Sequence, residues 1–405
     1  MIRKINETNY INLFVALFLI ASIAQSFNYS IFFIYFNTYI RFILSYVFGL
    51  AIFYFIIKNF NKRNFVINNS KKFFYFLLIY FSIYILFAIL NSEDYWDYKY
   101  IFEQYIPWIF TFFAIFLGLN FKEHLNEFKK IFLILFFFSF FILFFENGNE
   151  AFVRIFASLY FFLFLANYLS FRYKILIIIL SVIILFSDVG TWRTNQLRLF
   201  YFLLLFFFNF LILSFPNFII RIYSILLLLV PIIILISFVF FDYDFFVYLT
   251  TLDLKFITTE NTRTFILNDI LEHYNHTNSS YLFGSGGQSY FFTNFMQDSM
   301  THYNKIARYA VESGFMNLFL KNGLFGIFLL LIINFLSIKN CLTLSKNTFS
   351  KKLALAISFG WILFFIEIPM TLQISSFLFF YLIGIGFSKD FLEMKDDEIK
   401  ELLNK

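Results

Sequence analysis

Ile222-Tyr-Ser-Ile-Leu-Leu-Leu-Leu-Val-Pro-Ile-Ile-Ile-Leu-Ile-Ser-Phe-Val-Phe-Phe241 runs without a charge between Arg221 and Asp242. At about 1.5 Å per residue a helix of this length reaches ~30 Å, the thickness of the hydrocarbon layer of a bilayer. The run is continuous, whereas a membrane barrel would alternate apolar and polar residues in strands of about 10. Comparable runs lie near 11–27, 41–57, 73–90, 106–121, 131–145, 155–171, 175–188, 199–215, 313–336, 353–371 and 374–387. The reading is therefore an all-α, polytopic integral membrane protein with about 12 transmembrane helices.

Composition agrees. Of 405 residues, 61% are hydrophobic and 14% charged, with a mean hydropathy of +0.77, against about 45–50% and 25% in soluble domains. A soluble fold, a disordered chain and a disulfide scaffold are all excluded. The 72 Phe and 26 Tyr are spread over every apolar run and point to no site. With Cys341 alone there is no internal disulfide and no cysteine-based metal cluster.

Basic residues sort by side, because loops retained in the cytoplasm carry the Lys and Arg excess. With Arg3 and Lys4 placed inside, 21 of the 31 basic residues fall on inner segments, including Lys58 to Lys72, Lys122 to Lys130, Arg172, Lys174, Arg221, and Lys339 to Lys352. Both termini are then cytoplasmic. The first apolar run also has the small residues of a signal-peptide cleavage site, Ser22 and Ala24, but an even span count and inner termini argue for its retention. This topology leaves one long extracytoplasmic loop, 242–312, between the ninth and tenth spans of a single membrane domain, 1–405. It holds three of the four histidines, and a loop so long normally has its own structure and a function.

Within it, the residues from Asn261 to Tyr274 place Ile266, Leu267, Ile270, Leu271 and Tyr274 at helical spacing, an amphipathic helix with Arg263 in its first turn. Arg263 reads either as a headgroup-facing cation or as an anion ligand. Gly284 and Gly286 frame a turn free of side-chain bulk, suited to close approach of a ligand. A second helix is predicted from Thr301 into the tenth span, with His302, Lys305, Arg308 and Glu312 along one side. These four form either a salt-bridge ladder or a site, and His302 is either a general base or a solvated side chain. Inside the spans, Lys321 and Glu367 lie at similar depth, Lys321 roughly 10 Å below the outer surface. They read as a salt bridge, as a phosphate-facing cation, or as a proton relay. Arg193 and Arg198 stand on the outer side against the charge bias, as pyrophosphate ligands or as headgroup-facing side chains.

The order Thr191-Trp-Arg-Thr194, Arg263, Leu282-Phe-Gly-Ser-Gly286, a His, then Glu312-Ser-Gly-Phe and Phe319-Leu-Lys-Asn-Gly-Leu-Phe-Gly326 resembles the O-antigen polymerase and ligase superfamily, the Wzy-like proteins. The likeness covers about 187–335 in motif and the whole chain in topology. It implies polymerisation of undecaprenyl-pyrophosphate-linked oligosaccharide repeat units into O-antigen or capsule at the outer face of the bacterial inner membrane. Arg193 and Arg263 match the family's outer arginines, and Glu312 with Gly314, Gly323 and Gly326 matches the motif that opens the next span. His302 stands further upstream than the family's histidine. The implied chemistry makes pyrophosphate a leaving group, stabilised by Arg193 and Arg263. Glu312 or His302 would be the base. Arg198, Lys321, Arg308, Gly284 and Gly286 would be substrate contacts. No cofactor, metal or nucleic acid is expected; the expected partners are the lipid-linked glycan, the bilayer and, from the family, a chain-length regulator. Rival readings are a ligase of the same superfamily and a lipid-linked-oligosaccharide flippase.

Overall fold

The computed structural model describes residues 68–90, 111–122, 158–186, 193–241, 262–276, 281–286, 291–292, 301–302, 305–308, 313–366 and 374–404, with a few single positions between them. The helices in chain order are α1 (Asn68–Leu90), α2 (Ser158–Leu165, extended by a 3-10 turn to Tyr168), α3 (Phe171–Phe186), α4 (Arg193–Phe207), α5 (Asn209–Ser214), α6 (Asn217–Phe241), α7 (Thr262–His276), α8 (Gly314–Thr343), α9 (Phe349–Ile366), α10 (Ile374–Ile385), α11 (Lys389–Glu393) and α12 (Asp396–Asn404). A further helical stretch covers 111–119. The fold is helical, as the apolar runs predict. Segments of α1, α6, α8 and α9 are long and apolar enough to cross a membrane, which makes the chain a membrane-embedded protein. Shorter apolar helices occupy Leu197–Phe207 and Ser375–Ile385. The apolar runs at 11–27, 41–57 and 131–145 lie outside the described residues.

α9 is the central element, packed chiefly against α8 and α6. Most of it is enclosed: Leu353, Ile357, Trp361 and Phe364 are each fully buried. Pro231 removes one backbone donor from the middle of α6, and the Trp361 indole N–H donates to the Leu228 carbonyl one turn away, at 3.1 Å. Glycines set the closest approach elsewhere. A Cβ on Gly384 would lie 2.1 Å from the Ile115 carbonyl oxygen, and one on Gly118 would lie 2.2 Å from that of Tyr381. The 111–119 helix and α10 therefore touch backbone to backbone, as small residues permit in lipid, where packing rather than water exclusion drives association.

One end of the bundle is closed by the chain's own C-terminal segment. The Asp396 carboxylate accepts from the Thr348 and Phe349 amides, the Thr348 hydroxyl and the Tyr168 hydroxyl, capping α9 from another part of the chain. Ile399 and Leu403 on α12 are fully buried beneath it.

The predicted second helix of the 242–312 segment is replaced by strands. β1 (Phe291–Phe292), β2 (Thr301–His302) and β3 (Lys305–Arg308) form a small antiparallel sheet in the order β1-β3-β2. Two residues separate β2 from β3, the spacing of the tightest hairpins. Lys305-Ile-Ala-Arg308 is too short for its period to decide between helix and strand, and the partner strand β1 decides it.

Candidate functional site

The most unusual backbone in the bundle is inside α8. At Gly323 the chain adopts φ 62° and ψ −162°, so that the helix is broken into two halves. That conformation belongs to glycine. A break frees the last carbonyls of the first half and the first amides of the second, and none of these groups is tolerated bare in an apolar interior. The turn at 281–286 satisfies them. The Ser285 and Gly286 amides donate to the Leu320 and Lys321 carbonyls at 2.9 and 3.1 Å. The Leu324 and Phe325 amides donate to the Tyr281 and Leu282 carbonyls at 2.9 Å each. The Tyr274 hydroxyl of α7 adds bonds to the Phe319 and Leu320 carbonyls at 2.5 and 3.1 Å.

Gly284 (φ 77°) and Gly323 face each other at this junction. A Cβ on Gly284 would lie 2.4 Å from the Lys321 carbonyl carbon and oxygen, and one on Gly323 would lie 2.5 Å from the Gly284 nitrogen. On the other side of the turn, the Tyr84 hydroxyl of α1 donates to the Phe283 carbonyl. The turn thus joins α1, α7 and both halves of α8. The apolar periodicity of α7 serves the same end, since Ile266, Leu267, Ile270 and Tyr274 are its buried face. His273 is half-buried on α7, and this desolvation holds its pKa below the usual histidine value, so the imidazole is neutral at pH 7.

A second feature lies between α2, α4, α9 and α10. Tyr160, Phe202, Gly360, Leu363 and Phe379 line a narrow cleft of about 40 Å³, and Arg198 is the one charged residue of its wall. Arg198 is only 7% exposed. Its guanidinium carbon stands 5.2 Å from the centre of the Tyr160 ring, a cation–π contact that partly offsets the loss of water. A guanidinium held against an aromatic wall is a group suited to an anion beside an apolar surface.

The residues singled out in the sequence separate as follows. Gly284, Gly286 and Lys321 come together at the broken helix, with Lys321 3% exposed. Arg198 lies in the cleft, whose lining includes none of those three. Arg193 is the first residue of α4 and Arg263 the second of α7. His302 pairs with Lys305, and Arg308 with Phe291, in the sheet. The backbone at Lys305 to Arg308 is a strand, so the helix predicted to run through Lys305 and Arg308 does not form. Glu312 and Glu367 lie outside the described residues. Sequence reading missed the break at Gly323, Tyr274 as its cap, and Tyr160 as the partner of Arg198. The adjacent Asn322-Gly323 inside an apolar run was the one local signal for the first. Among the described residues no group of His, Cys, Asp and Glu is arranged to hold a metal ion.

Fold and cleft together define a helical integral membrane protein with a broken spanning helix and a buried cation. No protein-family model matches the chain, and neither a curated protein nor a solved structure matches it.

Proposed function

We propose that the protein is a glycan polymerase that extends lipid-pyrophosphate-linked oligosaccharides at the outer face of the bacterial inner membrane. The observation that carries this reading is Arg198, a buried guanidinium in an aromatic cleft among membrane helices. Such a cleft suits the phosphate end of a polyprenyl carrier: the rings take the chain, and the planar fork takes phosphate oxygens. In the proposed reaction an acceptor hydroxyl attacks the anomeric carbon of the donor glycan. The new C–O bond forms as the bond to pyrophosphate breaks, and the hydroxyl proton passes to a base, Glu312 or His302. Cations hold the charge that grows on the leaving group, and electrostatic stabilisation of this kind usually contributes most to such catalysis. Arg193 and Arg263 are proposed for that role on the strength of the family likeness, with Arg198 as an anchor for the bound carrier.

The broken helix α8 supports a second reading, because interrupted spanning helices mark the binding sites of many transporters. Here the freed ends of the two halves are bonded to the 281–286 turn rather than open to a transported ion, which favours the enzyme. The test uses the purified protein in liposomes with its host's undecaprenyl-pyrophosphate-linked repeat unit, resolving glycan size and released lipid pyrophosphate. A ladder with lipid release supports polymerase. Transfer only to an added acceptor means ligase, and unchanged repeat units crossing the liposome mean transporter. Arg198→Ala is expected to lower carrier affinity at least tenfold, with Arg198→Lys intermediate; unaltered affinity in both would remove the cleft from the mechanism.

A further inference from the structure

Two helices measure how deep the 281–286 turn lies. α1 carries no charge from Phe73 to Leu90, a run of about 27 Å that fills most of the hydrocarbon layer of a bilayer. Tyr84, whose hydroxyl donates to the Phe283 carbonyl, is about 9 Å inside the Leu90 end, and Tyr80 is about 15 Å inside it. α8 gives the second measure. The Tyr80 and Phe325 ring centres are 5.3 Å apart, and Phe325 stands about 16 Å along α8 from Gly314. The two helices run in opposite directions. Phe74, near the start of α1, packs on Phe387 just after α10, at 4.9 Å between ring centres, and the Ile383 carbonyl of α10 accepts from Ser337 late in α8. Leu90 and Gly314 therefore mark the same end of the bundle, and from either one the turn lies about 10–15 Å inside.

We propose that residues 281–286 are a re-entrant membrane segment, which dips into the bilayer beside α1 and presents Tyr281, Leu282 and Phe283 to lipid acyl chains. The backbone is suited to that depth. Irregular chain is tolerated there only where protein takes up its polar groups. The Ser285 and Gly286 amides and the Tyr281 and Leu282 carbonyls are bonded to α8, and the Phe283 carbonyl to α1. A Cβ on Gly284 would lie 2.4 Å from the Lys321 carbonyl, so the turn's backbone rests directly on that of α8. The side chains fit lipid as well. Tyr281, Leu282 and Phe283 are 38%, 50% and 51% exposed, and no residue from Thr277 to Gln297 carries a charge that would need water. The apolar surface continues onto the helices that the turn touches, where Ile83 and Phe87 of α1 and Phe328 of α8 are exposed. A continuous apolar surface of this kind, set within the thickness of a bilayer, marks lipid as its partner.

The test places spin labels on single added cysteines of the full-length protein in phosphatidylcholine nanodiscs. The native Cys341 is 1% exposed, and wild type treated with the label gives the background. Leu282→Cys and Phe283→Cys are compared with Ile83→Cys on the exposed face of α1 and with Asp397→Cys on the charged surface of α12. Both turn side chains are exposed, so their exchange empties no core, and Tyr281→Cys serves if either variant fails to fold. Collisions with oxygen, which concentrates among acyl chains, are read against collisions with a water-soluble nickel chelate. The ratio at both turn positions is expected to match that of Ile83→Cys and to exceed that of Asp397→Cys several-fold. Labels that meet the chelate as freely as Asp397→Cys does would place the turn in water and overturn the re-entrant segment. Shielding from both probes would mean that protein covers the turn, a second copy included, and overturns it equally. The depth of the turn does not depend on the reaction proposed above.

Discussion

Replacing Gly323 with alanine is the sharpest test of the broken helix. At φ 62° and ψ −162° a side-chain-bearing residue is strained by about 1–3 kcal/mol. The new methyl carbon would also sit 2.5 Å from the Gly284 nitrogen and 2.6 Å from the Leu282 carbonyl. The cheapest relief is for α8 to straighten, which re-forms the helical bonds of Leu324 and Phe325 and expels the turn. The turn then loses its bonds from Ser285 and Gly286, each worth about 0.5–1.5 kcal/mol net. A combined cost of about 3 kcal/mol for keeping the turn docked corresponds to opening on the order of 100-fold more often, at roughly 1.4 kcal/mol per tenfold. Hydrogen exchange read by mass spectrometry checks this. The Ser285 and Gly286 amides are expected to lose protection by that factor, while Leu324 and Phe325 stay protected. Gly286→Ala is the control: its Cβ meets nothing within 4 Å, so only about 1–2 kcal/mol of left-handed strain applies. If Gly323→Ala exchanges like wild type at all four amides, the reasoning from the break is wrong.

Other outcomes follow from the same geometry. Asp396→Ala removes the carboxylate that caps α9 and should lower stability by about 1–3 kcal/mol, seen as a lower melting temperature, with no change in glycan product sizes. Gly384→Ala drives a methyl group into the Ile115 carbonyl and should cost about 1–3 kcal/mol, whereas a melting temperature equal to wild type would contradict the backbone contact. The depressed pKa of His273 means that the folded protein binds fewer protons than the unfolded chain as pH falls below the ordinary histidine value of about 6.5. Stability is therefore expected to drop as pH falls from there through the lower folded pKa, and His273→Gln should flatten that part of the melting-temperature profile. Arg263→Ala is expected to cost on the order of 100-fold in polymerisation rate with the protein still folded; wild-type activity would sink its assignment as a leaving-group cation.

Membrane embedding and the helical class were legible in the sequence, because lipid leaves a backbone so few solutions that twenty uncharged residues, as at Ile222 to Phe241, read directly as a spanning helix. The buried face of α7 was equally legible, since its period is local. The strands at Thr301–Arg308 were not: a four-residue segment has no period to read, and its partner at Phe291 lies in a different part of the chain. The same holds for the site. Gly284, Gly286 and Lys321 were each suspect by composition or placement, but nothing local says that a turn at 281–286 pairs with the two halves of a helix some forty residues later. Arg198 was visible as a misplaced charge, while its burial against Tyr160 depends on how α2, α4, α9 and α10 pack. Hydrophobicity is a property of each residue and survives in the sequence. The filling of a helix break and the walls of a cleft are properties of pairs far apart in the chain, and only tertiary packing decides which pairs meet.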